Sequence, residues 1–358
     1  MEFLYITTGE LMDFIHSDLY RSWEYVPVSS LRAKSLSRYP YARKEDVLLV
    51  VAVDGERRIL GFAGALPDRL PESPEERIAW NSGWWVHPQH RSSGVALPLF
   101  YELLKAWDKR IMLSDMTPHS RRIIQSLNYF TEVLPVEGYI YYFRFPVADR
   151  QLPGAVLIDR ILNSPVDASA WVKSRLRRSA GYRVEYLPVA DEEAAAFIRR
   201  MNRNFLFRRD AEHLSQMMAY PWLGTKDELT DTDRRYPFSV QSRRYEHEVV
   251  NIYRATGELA AVLYITVRDS TMKIPYAYYD SRDADLVAAF TVDEIRRRGF
   301  SKLLVFSKEL TGAMERLRPI PYLSARPVSR VFAVSRDVLP LLPESYEFQD
   351  GYGDVAFT

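Results

Sequence analysis

Trp84-Trp85-Val86-His87-Pro88-Gln89-His90-Arg91-Ser92-Ser93-Gly94-Val95-Ala96-Leu97-Pro98-Leu99-Phe100-Tyr101-Glu102-Leu103-Leu104 reads as a buried strand, a tight loop and a helix. The apolar run ends at Val86, and Pro88 stops it by removing a ladder donor. Arg91 to Ala96 form the loop. Leu97, Leu99, Phe100, Leu103, Leu104 and Trp107 then recur at helical spacing, with Pro98 in the first turn, where its missing N–H costs nothing. Small residues opening a helix make an anion site, because the first backbone N–H groups have no partner within the helix and the helix dipole adds positive character there. Ser92, Ser93 and Gly94 let a phosphate approach the backbone. Arg91 adds a fixed charge suited to phosphate geometry.

Outward from this stretch, the order of elements predicts an α/β chain. A strand spans Glu2–Thr7, followed by a helix with Leu11, Phe14, Ile15 and Leu19 on one face. Asp46–Val53 and Ile59–Leu66 are apolar strands joined by an Asp54-Gly55 turn. Pro67–Glu76 reads as a polar loop, and Ile78–Val86 as the strand feeding the anchor loop. Ile111–Ser114 is a further buried strand, His119–Leu127 a short helix and Gly138–Phe145 a tyrosine-rich strand.

Arg91-x-x-Gly94-x-Ala96 after an apolar strand ending Val86-x-Pro88 resembles the acyl-CoA pyrophosphate loop of the GNAT N-acetyltransferase superfamily, and the element order over the first 145 residues is similar to the GNAT fold. The second half echoes the first. Val184–Val189 and the helix from Asp191 repeat the opening strand and helix, and Val249–Ile265 repeats Val50–Leu66 as strand, turn and strand. Lys273–Tyr279, a helix over Leu286–Arg298 closed by Gly299, Lys302–Phe306 and Arg330–Val334 continue the series. We therefore expect two tandem GNAT-like domains, each a mostly antiparallel mixed sheet flanked by helices, with 1–150 binding acyl-CoA, 151–181 connecting, and a degenerate copy over 182–358 shaping the acceptor cleft. An unrelated second α/β domain is the alternative. Between Tyr279 and Leu286 the second half lacks the glycine and carries Asp280, Asp283 and Asp285, which suit a helix start but repel pyrophosphate. The resemblance extends to the tandem arrangement of N-myristoyltransferases, Fem-type aminoacyl transferases and Eis-type acetyltransferases.

That resemblance implies transfer of an acyl group, with acetyl-CoA or another acyl-CoA as co-substrate, to a small-molecule or peptide amine. It implies that Trp85, Val86 and His87 line the pantetheine strand, and that Arg91, Ser92, Ser93, Gly94, Val95 and Ala96 hold the pyrophosphate. The family's Asn-x-x-Ala-x-x-Leu-Tyr pattern falls on Thr117, Ser120 and Ile124, so Thr117 and Ser120 join the cofactor set while the tyrosine acid is absent. His87, or alternatively a loop histidine with no chemistry, is a candidate base. Asp115, at the end of a strand, is a second, with helix capping as its other reading. Asn81 and Ser82 offer a water-mediated relay. In some tandem relatives the C-terminal carboxylate enters the site, and here the tail from Asp350 ends in an apolar Val355-Ala356-Phe357 suited to docking. A coenzyme-A-binding pseudoenzyme and a Fem-like aminoacyl transferase are the competing readings, the latter opposed by the pyrophosphate loop.

Composition sets the bounds. The chain has 358 residues, 47% hydrophobic and 27% charged, with a formal net charge of +1, so bulk electrostatics favour neither nucleic acid nor an anionic membrane. With no cysteine, disulfides, thiolate metal sites and a cysteine nucleophile are excluded. The six histidines show no metal-binding spacing, and Ser92-Ser93-Gly94 is not a nucleophile elbow. No run approaches the ~20 apolar residues of a membrane span and no signal peptide is evident, so a cytoplasmic protein is expected. Tyr139, Tyr141 and Tyr142 with Trp84 and Trp85 either line an acceptor cleft or sit on a half-buried strand.

Overall fold

The computed structural model describes residues 1–114, 116–145, 161–164, 181–318 and 320–357. The first half runs β1 (Glu2–Thr7), α1 (Leu11–His16), α2 (Asp18–Ser22), α3 (Ser30–Leu36), β2 (Val47–Val53), β3 (Ile59–Leu70), β4 (Ser73–Val86), α4 (Ala96–Ala106), β5 (Ile111–Leu113), α5 (Pro118–Ser126) and β6 (Phe130–Tyr142). The second runs β7 (Tyr182–Leu187), α6 (Glu192–Met201), α7 (Ala211–Ala219), β8 (Tyr245–Arg254), β9 (Leu259–Arg268), β10 (Thr271–Tyr279), α8 (Ala284–Arg298), β11 (Lys302–Val305), α9 (Lys308–Arg316) and β12 (Ser324–Ser335). Apart from 161–164 and 181, the expected connecting segment lies outside the described residues.

All twelve strands form one mixed sheet in the order β1-β2-β3-β4-β5-β12-β6-β11-β10-β9-β8-β7. The order reads alike from either edge. Five strands of one half are followed by the late strand of the other half, and β12 and β6 pair antiparallel at the centre. β4 pairs parallel with β5, and β10 parallel with β11. The late strand of each half is thus hydrogen-bonded into the other half's end of the sheet.

Continuous apolar runs make β2 and β9 strands buried on both faces, as expected for strands covered on two sides. One apolar layer spans both halves, joining Ile15, Leu49, Phe62 and Trp80 to Phe197, Leu214, Val249 and Tyr352. On the opposite face two separate layers form. One lies under α4 and α5, with Leu99, Phe100, Leu103 and Ile124. The other lies under α8 and α9, with Val287, Ile295, Leu310 and Met314.

Most of the stretch read as a polar loop, 67–76, is strand. β3 continues to Leu70 and β4 begins at Ser73. The reason is Asp68, which is buried in a two-bond pair with Arg209 (2.7 and 2.6 Å) and accepts from Trp80 Nε1 at 2.7 Å. A residue that looks solvated in sequence is here part of the core. No helix among the described residues is long and apolar enough to cross a membrane.

Candidate active site

β4 and β5 pair at Ala79–Ile111 and Trp80–Met112, after which β4 continues to Val86 paired with β3 alone. Between its pairings with Ala65 and Ala63 of β3, β4 sets two residues, Ser82 and Gly83, against the single Gly64, a bulge that turns the strand away from its parallel neighbour. Two glycines in β3 make room for it. A Cβ on Gly64 would stand 2.5 Å from Ser82 O, and one on Gly61 2.7 Å from Trp85 O. Gly83 itself adopts φ +97°, a conformation that favours glycine. Asn81 Nδ2 donates to Gly64 O and Gly83 O at 3.1 and 3.3 Å, bracing the bulge. Beyond it, His87 N–H donates to Leu60 O of β3 at 2.9 Å. Strand alternation then turns the amides of Trp84 and Val86 toward the side that β5 has vacated.

The loop that follows is open. Pro88–His90 form one 3₁₀ turn, and Ser93 donates to His90 O from both its amide (3.1 Å) and its hydroxyl (2.7 Å). Gly94 has φ +78°, with nothing within 4 Å of a Cβ placed on it. Arg91, Ser92, Ser93 and Gly94 are exposed, while Val95 below them is buried. No side chain caps α4, so the amides of Val95, Ala96 and Leu97 face outward without a helical acceptor. Phe100 of α4 stacks on Trp84 at 4.7 Å, fixing the helix start beside the free strand edge.

The other expected residues are placed as follows. His87 Nδ1 accepts from Gln89 N–H at 3.3 Å, Nε2 lies 3.8 Å from Glu24, and the ring meets Tyr25 edge-on. Thr117 caps α5 through Ser120 N–H at 3.1 Å, with the two hydroxyls bonded to each other. Ile124 is buried under α5. Asp115 lies outside the described residues.

The segment after β12 reaches this site; sequence reading gave it as a tail suited to docking without naming Gly353 or Asp354 as site residues, and the terminal Thr358 lies outside the described residues. Gly353, at φ +70°, lies against the Trp80 ring and the Ser114 hydroxyl, at the fork between β4 and β5. The next residue, Asp354, accepts from Ser82 Oγ at 3.0 Å. Arg32 of α3 donates to Ser82 O at 2.6 Å, to the Ser82 hydroxyl, and to Tyr236 Oη at 2.9 Å, and lies over the Trp222 ring at 3.8 Å. Burial pushes the Tyr236 phenol above its usual pKa against the pull of Arg32. Phe357 stacks on Trp222 at 4.4 Å, and its carbonyl accepts from Trp222 N–H at 3.3 Å. The available signal was the Gly351-Tyr352-Gly353 run. A Cβ on Gly351 would meet the Tyr276 ring at 2.4 Å, so both glycines are demanded by close approach.

In the second half β10 pairs with β11 from Thr271 to Lys273 and then bulges before Tyr276. There the chain's own tail takes the vacated edge. Gly351 N–H donates to Pro275 O at 2.8 Å, and Gln349 Oε1 accepts from Ala277 N–H at 2.7 Å. The loop before α8 is short, and Arg254 of β8 grips the buried Asp283 carboxylate through two bonds of 2.9 and 2.6 Å. Among the described residues no group of three His, Asp or Glu is gathered to hold a metal ion.

The sequence profile described as the acetyltransferase (GNAT) family matches residues 12–125, about a third of the chain. No curated protein sequence matches it. Among solved structures, a conserved protein of Enterococcus faecalis described as a probable N-acyltransferase is similar at 11% identity over 93% of this chain and 72% of that one, with a TM-score of 0.50. Saccharomyces cerevisiae N-myristoyltransferase, solved with myristoyl-CoA and inhibitors bound, is similar at 10% identity over 99% of this chain and 84% of that one, also with a TM-score of 0.50. The chain therefore has the mixed α/β fold of GNAT acyltransferases, with the family's sequence pattern in its first half.

Proposed function

We propose that this chain is an acyl-CoA-dependent N-acyltransferase that passes an acyl group, acetyl in the simplest case, to the amine of a small molecule or peptide. The reading treats 1–150 and 182–358 as tandem GNAT-like units, the first holding the donor and the second shaping the acceptor side, and places the protein in the cytoplasm. The observation that carries it is the pairing of two open features. The amides of Trp84 and Val86 are unused by the sheet, and the uncapped start of α4 follows Gly94 and Arg91 directly. An extended pantetheine suits the first and a diphosphate the second.

Bound acyl-CoA supplies the activated acyl group. The chain's own residues do the remainder. Arg91, Ser92, Ser93, Gly94, Val95 and Ala96 grip the diphosphate, Trp85, Val86 and His87 border the acyl arm, and Thr117 and Ser120 stand at the start of α5 beside it. The free strand amides polarise the carbonyl that faces them, and His87 and Asp115 are candidate proton acceptors. With Ile124 buried where the family has its acid, positioning carries most of the acceleration. That same Ile124 favours the second reading, a coenzyme-A-binding protein without turnover.

Thiol release from acetyl-CoA in the presence of a panel of amines separates the two. Turnover that Arg91→Glu abolishes, and that His87→Ala or Asp115→Asn slows, supports the transferase. Binding without thiol release supports the sensor.

A further inference from the structure

We infer that Asp354, carried on the chain's own C-terminal tail, accepts the proton of the acceptor amine. The inference rests on the acyltransferase reading above and adds a residue to it.

Five observations converge on this carboxylate. It sits at the fork where β4 leaves β5, one residue after Gly353 has packed against Trp80 and Ser114. Its side chain keeps 29% of its surface exposed, while Tyr352, Val355 and Phe357 around it are buried. The tail's other aspartate, Asp350, is buried and paired with Arg330. Asp354 Oδ2 accepts from Ser82 Oγ at 3.0 Å, which fixes the group to the bulge, while no hydrogen bond to Oδ1 occurs among the described residues. Finally, Ser82 is itself held by Arg32, so the chain Arg32, Ser82, Asp354 orients the carboxylate as a second residue orients a base.

Among the described residues Arg32 is the one cation within 4.0 Å of this carboxylate, 3.8 Å from Oδ2. Its N–H groups are directed to Ser82 and Tyr236, and its planar face lies on Trp222. It therefore aligns the relay without closing Oδ1 to a substrate. Aromatic side chains border the bulge: the Phe238 ring edge and the Tyr236 hydroxyl stand beside Gly83, and Trp85 lies against Tyr25 at 4.9 Å.

The acceptor ammonium gives one proton to Asp354, and the freed nitrogen lone pair forms the C–N bond at the thioester carbon. The C–S bond breaks, and the sulfur leaves with its electron pair. The second N–H proton goes to that sulfur, so the products are an amide and coenzyme A thiol, with the first proton released from Asp354 to solvent.

The experiment measures thiol release with phenylethylamine, spermidine and a short peptide with a free N-terminus, alongside calorimetric binding of coenzyme A. Asp354→Asn is expected to lower kcat by about 100-fold or more while leaving coenzyme A affinity within twofold and the unfolding temperature near that of the parent chain. Asp354→Glu is expected to recover part of the rate, and Ser82→Ala to lower kcat by about 10-fold with KM little changed. A merely structural role for Asp354 would instead lower coenzyme A binding and the unfolding temperature together, and this would overturn the inference. Unchanged kcat in Asp354→Asn, in a chain whose turnover Arg91→Glu abolishes, sinks the inference alone. A parent chain with no affinity for coenzyme A sinks the acyltransferase reading and this inference with it.

Discussion

Helices α4 and α8 begin at matching places in the sheet, each just past a strand that has parted from its parallel neighbour, and the two starts are built in opposite ways. Before α4 lies an exposed loop with Gly94 at φ +78° and an uncapped helix end. Before α8 lies a short turn whose buried Asp283 carboxylate is tied by two hydrogen bonds to Arg254. The strand edges differ in the same sense. Beside β4 the amides of Trp84 and Val86 face no paired strand among the described residues, whereas beside β10 the tail supplies Gln349 and Gly351 as partners. One frame therefore yields one receptive cleft and one that is filled by the protein itself. The same tail that fills the second cleft goes on to place Asp354 in the first.

The largest expected effect concerns what the two halves share. Asp68 of β3 and Arg209 of the second half form a buried ion pair beneath both. Arg209→Met strands the Asp68 carboxylate and should cost about 3–5 kcal/mol, measured as a lower denaturation midpoint. A loss near zero would mean that the halves are not joined through this pair.

The two helix starts can be set directly against each other. Gly94→Val forces a β-branched residue into left-handed backbone at about 1–2 kcal/mol, so coenzyme A affinity should fall by about tenfold or more. Asp283→Asn weakens the bonds with Arg254 and should cost about 1 kcal/mol of stability with no change in that affinity. The reverse pattern would exchange the roles assigned to the two halves.

The last expected effect is a pH dependence. His213 lies in the shared layer against Tyr39, Tyr41 and Arg209. Burial, then the nearby Arg209 and Arg69 charges, holds its pKa well below the ordinary value. The unfolded chain binds a proton below about pH 6.5 that the folded chain does not. Stability therefore falls as pH drops through that value, by up to about 1.4 kcal/mol per pH unit for one such group. His247, also lowered chiefly by burial, acts in the same direction. His213→Phe should flatten the fall in urea midpoint between pH 7 and pH 5, and an unchanged slope would assign it elsewhere.

Many strands and helices were legible because their signals are local, whereas α7 and α9 were not assigned from sequence and β6 and β12 begin eight and six residues earlier than read. Val47–Val53 is apolar throughout, Gly299 ends α8 at φ +70°, and Gly94 marks the turn into α4. The exchange of β6 and β12 was not legible, because the partner of a strand is decided by contacts far apart in sequence. Asp68 misled for a related reason: its burial depends on Arg209, which lies 141 positions away. The residues proposed to hold the donor lie mostly in one contiguous stretch, Trp84 to Ala96. Those proposed for the acceptor side, Arg32, Ser82, Tyr236 and Asp354, come from four separate regions, and the glycines that seat the tail respond to Tyr276 and Trp80 rather than to their neighbours in the chain.

The central claim, one receptive cleft and one self-filled, is tested most directly by calorimetric titration of the chain with coenzyme A. The account predicts a single site per chain, abolished by Arg91→Glu and unaltered by Gln349→Ala. Two sites, or one that survives Arg91→Glu and disappears with Gln349→Ala, would contradict it.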